Sequence, residues 1–522
     1  MNRTILSKLV KLHLITPGGI YNLIRSFIGD GISLMALMRF SATYYSDRCA
    51  LVSDEMRLTY KESYSLAQYL AKMLYQDYGL TTGMCVGVMC RNHIMMALLL
   101  PALSRLGVRV KLMNTDIAPN LLKEQVERSK IDVLIYDSEL KEQRVPVDLP
   151  CNVLHSEDLY QKVVDNAQHL NVKLPRIKRG GDISVFTGGT SGKSKEASRK
   201  MNVNQFLPPL FALLEQLRLD ERDSVLLSLP VYHGFGLATL VMSLLMGKKV
   251  CLMRHFDAEE ALKTIANEGI EVVPLVPAML ARLWQIDEAP SLMKTVKCII
   301  CGGDRLDKKW VDVTSEHLGY VLFNLFGTTE AGFFMIASPQ DLSRNEEVTI
   351  GRPIRGVECK VENEDGQGVG SLWVRSGWAM IGLKDKWQNT GDLVYRTPDG
   401  CYFYRGRSDN MVVCGGENVY PENVEKVINS HTDVLNSIVY PVTDPQFGTV
   451  LNAKVELKPD STFTAETLKE KLRSQLSRAE MPHHITITAI SLQNSGKIAR
   501  KSNSTESWSN GGFFNSLTPQ TP

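Results

Sequence analysis

Between about residues 84 and 325, short apolar or β-branched segments alternate with longer stretches whose apolar residues recur at helical spacing. This alternation predicts parallel sheets covered by helices, because a helix is the usual crossover between parallel strands. The predicted strands are CVGVM, VRVKLM, DVLIY, ISVF, SVLLSL, KVCLM, EVVPLV, KCII and VLFNLF. The predicted helices include APNLLKEQVERS, DAEEALKTIANEG and PAMLARLWQID. We expect this region to form a large α/β body.

The pattern changes beyond this body. From about 354 to 405, short strands separated by the turn sequences EDGQG and TPDG predict a small antiparallel β unit. The stretch containing PENVEKVINS, SIVYPV, NAKVELK, AETLKEKLRSQLSRAE and HITITAI predicts a separate α+β domain. The expected fold class is therefore α/β. A large N-terminal domain (1–408) would contain helix-covered sheets and the small β unit, followed by a mobile C-terminal domain (409–503) and a disordered tail (504–522) rich in Ser, Asn, Gly and Pro.

The first 30 residues are predicted to form a basic amphipathic extension. Within residues 2–15, four apolar side chains share one helical face while basic residues lie elsewhere, and Pro17, Gly18 and Gly19 are expected to end the helix. The four are Ile5, Leu6, Leu9 and Val10. Such a helix can lie on an anionic membrane surface, which would make the protein peripheral to a membrane. Packing against its own domain is the commoner arrangement, and we favour it.

Composition narrows the protein class. The chain has 522 residues, of which 44% are hydrophobic and 22% charged, as in an ordinary globular protein. A formal net charge of +2 gives no electrostatic reason to expect a nucleic acid partner. No apolar stretch reaches about 18 residues, so no membrane-spanning helix is expected. Scattered cysteines without a secretory leader predict reduced thiols and a cytoplasmic location, and the pair Cys298 and Cys301 lies in an apolar strand rather than a metal site.

The segment ISVFTGGTSGKSKEASR places a predicted strand before a loop of glycines, hydroxyl residues and lysines. This composition suits a phosphate chain, because glycines let backbone N–H groups approach an anion while hydroxyls and lysine add hydrogen bonds and charge. A flexible surface loop has the same composition, and composition alone leaves both interpretations open. The Walker A pattern fails, because Thr187 stands where its first glycine is required and no Walker B aspartate follows in an obvious place.

The order of residues in this loop resembles the signature of the AMP-forming adenylating enzymes. That superfamily includes acyl-CoA synthetases, peptide-synthetase adenylation domains and luciferases. The matching residues are Thr187, Gly188, Gly189, Thr190, Gly192 and Lys195, and Ser191 is a mild change from threonine. Ser194 and Glu196 replace the usual proline and glycine, so the end of the loop is atypical. The resemblance implies that the matching residues and Ser191 bind ATP, with Thr190 also in a catalytic role.

Six further motifs follow in the family's order. LPVYHGFGL resembles the wall of the acyl pocket, with His233 at the gate and Gly234 beside it, although a histidine at the edge of a core would look similar. CGGDRL and NLFGTTEAG each follow a predicted strand, at the sheet edge where ligands bind in open α/β folds. The resemblance implies that these two loops contact the nucleotide through Gly302, Gly303, Asn324, Phe326, Gly327, Thr328 and Thr329. It also implies a catalytic, Mg²⁺-binding Glu330, and a carboxylate is a suitable hard oxygen ligand for that ion.

The remaining motifs are NTGDLVY, YRGRSDNMVVCGGENVYP and NSGKIARKS. The resemblance implies that Asp392 and Arg407 contact the ribose, and Arg407 a phosphate as well. Asp409 is then the hinge of the small domain. The loop expected to line the entry of the CoA thiol contains Gly415, Gly416 and Glu417. Lys497 is expected to neutralise charge between the reacting carboxylate and the α-phosphate, although Leu492, Gln493 and Asn494 replace the family's usual lead into this motif.

Together the motifs imply a ligase that uses ATP, Mg²⁺ and CoA to convert a carboxylic acid first to acyl-AMP and then to a thioester. The segment after His233 lacks the aspartate with which amino-acid-activating members hold an α-amino group, which favours a non-amino acid. A looser similarity of the N-terminal extension, GMCVGVMCRNH and LMNTDIAPNLL to bacterial long-chain acyl-CoA synthetases implies a fatty acid and a role in lipid metabolism.

Three alternatives remain open at this stage. A fatty acyl-AMP ligase would stop at the adenylate and load a carrier protein. A catalytically impaired scaffold would keep the fold without turnover, and Glu196 together with the altered lead before Lys497 supports it. A luciferase-like oxygenase would share the PVYHGFGL segment but would need a particular luciferin.

Overall fold

The computed structural model describes residues 3–53, 56–146, 148–166, 172–187, 195–199, 203–380, 382–414, 417–444, 448–493 and 497–498. The helices, numbered in chain order, are α1 Arg3–Lys11, α2 Pro17–Asp30, α3 Leu34–Tyr44, α4 Tyr60–Tyr78, α5 Ile94–Leu106, α6 Pro119–Ser129, α7 Lys141–Arg144, α8 Ser156–Asn166, α9 Val203–Glu215, α10 Gly234–Leu245, α11 Ala258–Glu268, α12 Pro277–Leu283, α13 Ala289–Leu292, α14 Lys308–Leu318, α15 Pro339–Arg344, α16 Pro421–Asn429 and α17 Ala465–Leu472.

The strands up to the end of the α/β body are β1 Cys49–Ser53, β2 Met56–Thr59, β3 Cys85–Met89, β4 Arg109–Leu112, β5 Val133–Tyr136, β6 Asn152–His155, β7 Ile183–Thr187, β8 Lys195–Arg199, β9 Ser224–Leu227, β10 Lys249–Leu252, β11 Val272–Leu275, β12 Cys298–Gly302, β13 Leu322–Thr328, β14 Gly332–Ala337 and β15 Arg352–Pro353. The later strands are β16 Val357–Glu362, β17 Gly370–Ser376, β18 Gln388–Arg396, β19 Tyr402–Arg407, β20 Val412–Cys414, β21 Glu417–Val419, β22 Val434–Asp444, β23 Gly448–Leu457 and β24 His484–Ile487.

Two large sheets form the α/β body, as the alternating pattern predicts. One has nine strands in the order β15-β14-β13-β12-β11-β9-β10-β1-β2, and the other has six in the order β6-β5-β3-β4-β7-β8. Their central strands are parallel and their residues are buried on both faces, as expected for sheets covered by helices on both sides. Helix α5 lies wholly inside the core, which explains why its sequence is apolar around its whole circumference.

The two later units also match the predicted pattern changes. Strands β16 to β19 form a four-stranded antiparallel sheet, and β22, β23 and β24 form a three-stranded sheet that packs with α16 and α17 around its own apolar cluster. Two predicted helices are shorter than their sequence patterns. Helix α12 ends at Leu283, and α17 ends at Leu472. Just beyond the end of α17, Ser474 Oγ donates a hydrogen bond of 3.1 Å to the Lys471 carbonyl, which competes with continuation of the helix.

The N-terminal extension is packed against the body, as favoured above, but its predicted apolar face is wrong in two positions. Ile5 and Leu9 are buried, whereas Leu6 and Val10 are 44% and 47% exposed. The buried face instead contains Lys8, whose ammonium group lies 2.6 Å from the Asp220 carboxylate. Pro17 to Gly19 begin α2 rather than end α1, because proline is favoured in the first helical turn.

Three simpler expectations can also be compared with the structure. All ten cysteines are free, and Cys298 and Cys301 are buried in β12. Among the described residues, no helix is long and apolar enough to cross a membrane. The predicted tail 504–522 lies outside the described residues, and its disorder stays a prediction.

Candidate active site

A cavity of about 1860 Å³ opens where the parallel strands of the nine-stranded sheet end. Local sequence explains this position, because the glycine-rich segments follow β12 and β13 at the carboxyl edge of the sheet. The predicted site residues that line the cavity are His233, Gly234, Gly302, Gly303, Asn324, Phe326, Gly327, Thr328, Thr329, Glu330, Asp392, Arg407 and Lys497. The fold thus brings together motifs that are far apart in the sequence.

Other predicted residues cannot be placed at the cavity. Gly188, Gly189, Thr190, Ser191 and Gly192 of the phosphate loop, and Gly415 and Gly416, lie outside the described residues. The backbones of Thr187 and Lys195 are described, and they pair with each other across β7 and β8 at the two ends of that loop. Asp409 reaches Arg407, whereas the exposed Glu417 begins β21 away from the described cavity lining.

The edge formed by β12 and β13 brings backbone close to the cavity. A Cβ atom on Gly302 would lie 2.7 Å from the Leu325 carbonyl oxygen, so only glycine fits there without a shift. Gly303 has a φ of +85°, and a Cβ atom on it would lie 3.4 Å from Cε of Lys497. Gly302 therefore allows β12 and β13 to approach closely, and Gly303 is the point where the sheet edge meets the C-terminal segment.

The turn between β13 and β14 carries the next part of the site. It is a hairpin turn and not the helix start that GTTEAG would suggest in isolation. Thr328 Oγ1 accepts a hydrogen bond of 3.0 Å from the Ala331 N–H. Glu330 is half-buried, and its backbone carbonyl accepts a hydrogen bond of 2.8 Å from the Met380 N–H. The Glu330 side chain, together with the threonine hydroxyls, gives this turn an oxygen-rich surface.

Two side chains on β13 differ in their environment. Phe326 lines the cavity and packs edge-on against Phe334, with ring centroids 5.6 Å apart. Asn324 is only 5% exposed, and its side-chain amide donates a hydrogen bond of 3.0 Å to the Thr349 carbonyl. The amide of Asn324 therefore fixes the strand to its neighbouring segment, while the face of Phe326 remains beside the cavity.

An ion-pair network joins the small β unit to the cavity. Arg407 donates one hydrogen bond of 3.2 Å to Asp392 and two hydrogen bonds, of 3.0 and 3.1 Å, to the Asp409 carboxylate. Burial raises the pKa of Asp392, while hydrogen bonds from Arg407 hold the pKa of Asp409 below its ordinary value. Gly391 makes room for this arrangement, because a Cβ atom there would lie 2.7 Å from the Arg407 guanidinium. The network fixes Arg407 at the cavity wall.

Lys497 reaches the cavity from the C-terminal unit. An antiparallel bridge joins Leu492 to Ile498, and the Gln493 N–H donates 2.8 Å to the Lys497 carbonyl. His233 lies at the same point, and burial together with the charge of Lys497 lowers its pKa to about 4. The imidazole of His233 is therefore neutral at pH 7, which leaves Lys497 as the cation beside Gly303.

The two glycines near His233 have different surroundings. Gly234 has open space in the direction of a Cβ atom, as expected for a residue beside a ligand. A Cβ atom on Gly236 would lie 2.2 Å from the Pro230 carbonyl oxygen, so this glycine lets α10 pack on its own preceding loop. The expected backbone room beside a ligand is therefore found at Gly234 and not at Gly236.

Several residues that hold the C-terminal unit over the cavity were not predicted from the sequence. Arg282 donates hydrogen bonds of 2.8 and 3.0 Å to the two carboxylate oxygens of Glu456. Lys309 donates a hydrogen bond of 2.8 Å to the Asn429 carbonyl. Arg305 reaches the Glu422 carbonyl, and Lys426 pairs with Glu347. No local pattern marks these residues, because each bond joins segments more than 75 positions apart.

Comparison with known proteins places this geometry in context. The family model described as AMP-binding enzyme matches residues 38–383, and that of the AMP-binding enzyme C-terminal domain matches residues 423–497. The 2-succinylbenzoate–CoA ligase of Bacillus licheniformis is 26% identical over 460 residues, covering 84% of this chain and 92% of the relative. The enzyme of the same name from Bacillus subtilis is 25% identical, covering 84% and 90%.

Solved structures show the same fold. A crystal structure of an anthranilate CoA ligase with anthranoyl-AMP has a TM-score of 0.78 at 19% identity, covering 89% of this chain and 95% of that one. The o-succinylbenzoate CoA synthetase of Bacillus subtilis with ATP and magnesium has a TM-score of 0.73 at 23% identity, covering 89% and 98%. The names of these relatives do not support the finer resemblance to long-chain fatty-acid synthetases.

Proposed function

The chain belongs to the AMP-binding enzyme family, and from that premise we propose that it is an AMP-forming acid–thiol ligase. In the first step a carboxylate oxygen attacks the α-phosphorus of ATP, and pyrophosphate leaves. In the second step the thiol of CoA attacks the acyl carbon, AMP leaves and the thiol proton is released. The observation that carries this proposal is the position of Lys497 beside Gly303 and His233, at the cavity edge that also holds the β13–β14 turn.

In the first step the main task of the protein is to bring two anions together. Lys497 supplies a cation where the carboxylate and the α-phosphate would meet, which lowers their repulsion and stabilises the charge of the transition state. Glu330, beside the hydroxyls of Thr328 and Thr329, offers the oxygen donors that Mg²⁺ prefers, and that ion would neutralise phosphate charge. Asp392 and Arg407 would hold the ribose, with Phe326 beside the purine.

The second step needs a different part of the C-terminal unit at the cavity. Lys497 occupies the cavity edge, while Glu417 lies outside the cavity lining. Rotation about Asp409 would withdraw Lys497 and bring the segment of Gly415, Gly416 and Glu417 to the adenylate. The ion pairs that join the two parts suit this exchange, because water can replace the partners of charged groups when they separate.

The acid is proposed to be a non-amino carboxylic acid with an apolar body. Beyond His233 the cavity is lined by Phe235, Met242 and other apolar residues. The names of the curated relatives favour an aryl acid over the fatty acid expected from the sequence. A ligase that loads a carrier protein and an impaired scaffold of the same fold remain as the alternatives.

The test is a measurement of pyrophosphate release and thioester formation with acetate, octanoate, palmitate, benzoate, 2-succinylbenzoate and amino acids, each with and without CoA. The proposal expects both products from one class of non-amino acid. Pyrophosphate release without consumption of CoA would favour the carrier-loading alternative. Absence of both products across the panel, with no binding of ATP by calorimetry, would favour the scaffold.

We also propose that the outer face of α2 contacts an anionic membrane surface, in place of the residues 2–15 considered from the sequence. Its exposed residues include Ile20, Ile24 and Ile28, which repeat every four positions along one side of the helix. Arg25 is exposed on the same helix, and Asp30, its acidic residue, is buried. An apolar face beside basic charge is the pattern of a helix that lies on anionic lipid.

Vesicle flotation tests this contact. We expect the enzyme to float with phosphatidylserine vesicles, and the double variant Ile24→Ser/Ile28→Ser to remain in the lower fraction. Val153→Ser, which changes an exposed apolar residue away from α2, serves as the control. Equal flotation of the wild type and the double variant would contradict the proposal.

A further inference from the structure

The cavity continues as an apolar tunnel along one face of the nine-stranded sheet. Alternate residues of three neighbouring parallel strands line it, since side chains on one face of a strand recur every second residue. They are Val225 on β9, Val272 and Pro274 on β11, and Ile300 and Gly302 on β12. Helix α10 covers the opposite side with Phe235 and Met242, and Met246 lies directly after its last residue. The tunnel therefore runs from the carboxyl edge of the sheet toward its amino edge.

Two basic residues line the far end of this tunnel. Arg222 lies two residues before β9, and Lys248 lies one residue before β10, the strand that pairs with β9 in parallel. Both line the cavity, and Lys248 is only 4% exposed. The ammonium group of Lys248 donates a hydrogen bond to the Arg222 carbonyl. The apolar tunnel thus ends at a guanidinium and an ammonium group.

These two groups are poorly compensated by the protein. Nε of Arg222 is buried and has no hydrogen-bond partner among the described residues. Burial lowers the pKa of Lys248 to about 8. Of the nearby acids, Asp220 pairs with Lys8, and Glu271 accepts hydrogen bonds from Lys297 and from the Asp223 N–H. The Asp223 carboxylate opposes the fall in the pKa of Lys248, but its side chain is 83% exposed to solvent. A buried donor without an acceptor is costly, so a ligand acceptor at this point would be stabilised.

The charge of the Arg222 guanidinium reaches the start of β12. It acts on Cys298, where it opposes the rise in pKa that burial causes. Cys298 and Gly302 are the first and last residues of β12, so the distance between them along the strand is about 13 Å. That length separates the point where a carboxylate would react, beside Gly303, from the basic end of the tunnel.

We infer that the tunnel binds acids that carry a second acidic group at the end remote from the reacting carboxylate, with Arg222 and Lys248 as its partners. This inference rests on the function proposed above, since it assigns a substrate class to the same site. The shared chemistry is a diacid with an apolar body. An aliphatic diacid and an aryl diacid both have this chemistry, but they differ in length. Extended dodecanedioate spans the distance along β12, whereas the six bonds between the carboxyl carbons of 2-succinylbenzoate reach only about half of it, so the experiment distinguishes the two.

The test uses two matched pairs of acids that differ only in the second carboxylate. The aliphatic pair is dodecanedioate and dodecanoate, and the aryl pair is 2-succinylbenzoate and 3-benzoylpropanoate. We expect kcat/KM for pyrophosphate release to be about 10- to 100-fold higher for the diacid in at least one pair. Arg222→Met is expected to remove most of this preference by lowering use of the diacid, with little change for the monoacid. Lys248→Met is expected to act in the same direction.

Arg218→Met is the control, because Arg218 lies in the same connection with a side chain 62% exposed and pairs with Glu221. Thermal unfolding verifies that each variant folds, and Arg222→Gln, which also lacks the charge, replaces Arg222→Met if the latter does not. Preference for the monoacid in both pairs, or an equal loss for both members in Arg222→Met, would overturn the inference.

Calorimetry of acid binding without ATP separates this inference from the proposed function. The inference is supported if the wild type binds a diacid selectively and the Arg222→Met variant does not. If no acid releases pyrophosphate in that case, only the proposed function fails. Equal activation and equal binding of monoacid and diacid would leave the ligase function standing and overturn the inference alone.

Discussion

Two segments far apart in the sequence pack on the same α/β body, and their contacts differ in chemistry. Helix α1 is held mainly by apolar packing: Ile5 and Leu9, together with Leu12 directly after the helix, are at most 4% exposed and join an apolar cluster with α9. The C-terminal unit is held mainly by polar bonds, among them the pair Arg282–Glu456. One contact combines buried carbon atoms with a buried ion pair. The other combines several hydrogen bonds of charged side chains with one apolar side chain, Leu435, in the core of the body.

This difference indicates which segment can move. Apolar surface that leaves its partner has only water to contact, at a cost of about 25 cal/mol per Å². Charged groups that separate can be hydrated instead, so a polar contact of this kind is worth little net free energy. Helix α1 should therefore remain fixed, while we expect the unit that carries Lys497 to leave the cavity between the two proposed half-reactions.

The largest expected effect is that of Lys497→Ala. Loss of the cation beside Gly303 should lower adenylate formation by about 10²- to 10³-fold, because the charge of the transition state is no longer neutralised. Reaction of pre-made acyl-AMP with CoA should survive. Pyrophosphate release and thioester formation measure the two steps separately, and Lys471→Ala, an exposed lysine of the same unit, is the control. Parallel loss of both steps would contradict the assigned role.

Leu9→Ala should mainly affect stability. Removing a side chain that is 4% exposed should lower the free energy of unfolding by about 3 kcal/mol, because a cavity remains in the cluster. The ratio of the two half-reactions should not change. Leu6→Ala, in the same helix but 44% exposed, should cost less than about 0.5 kcal/mol. Denaturant unfolding measures both values, and equal losses would break the comparison.

Arg282→Met should show the opposite behaviour. Without its two hydrogen bonds to Glu456, the C-terminal unit should occupy the cavity less often, and adenylate formation should fall by about 10-fold, or ~1.4 kcal/mol. Thioester formation from pre-made acyl-AMP should be unchanged or faster. Glu456→Gln should act similarly, and the two effects should not add in the double variant. Lys263→Met, whose ammonium group pairs within α11, is the control.

The smallest effect concerns the pKa of His233, which lies at about 4 because of burial and the charge of Lys497. Lys497→Ala should raise this pKa only slightly, since burial, the larger cause, remains. Because the unfolded chain binds this proton more readily, acidification from pH 6.5 to 4 destabilises the folded enzyme, and the variant should lose less stability over that range. Histidine NMR titration measures the shift, with His431 as the internal control. An unchanged pKa would mean that Lys497 does not occupy the cavity in solution.

The sequence alone predicted nine of the fifteen strands of the α/β body, both later units and the position of CGGDRL and NLFGTTEAG at the carboxyl ends of strands. Strand periodicity and glycine-rich turns depend on neighbouring residues, so they can be recognised locally. The apolar face of α1 was predicted less well. The helical periodicity predicted that the side chains of Leu6 and Val10 are buried. The side chain of Lys8 is buried instead, because the carboxylate of Asp220, from a distant segment, neutralises its charge.

Local sequence therefore determined the fold class, the order of its elements and the chemistry offered at the carboxyl edge of the sheet. Tertiary structure decided where the tunnel ends and what lies there. Arg222 and Lys248 meet only because β9 and β10 pair in parallel, and Arg282 meets Glu456 across 174 positions of the chain. Such contacts depend on how strands align and how units dock, which no short sequence pattern records.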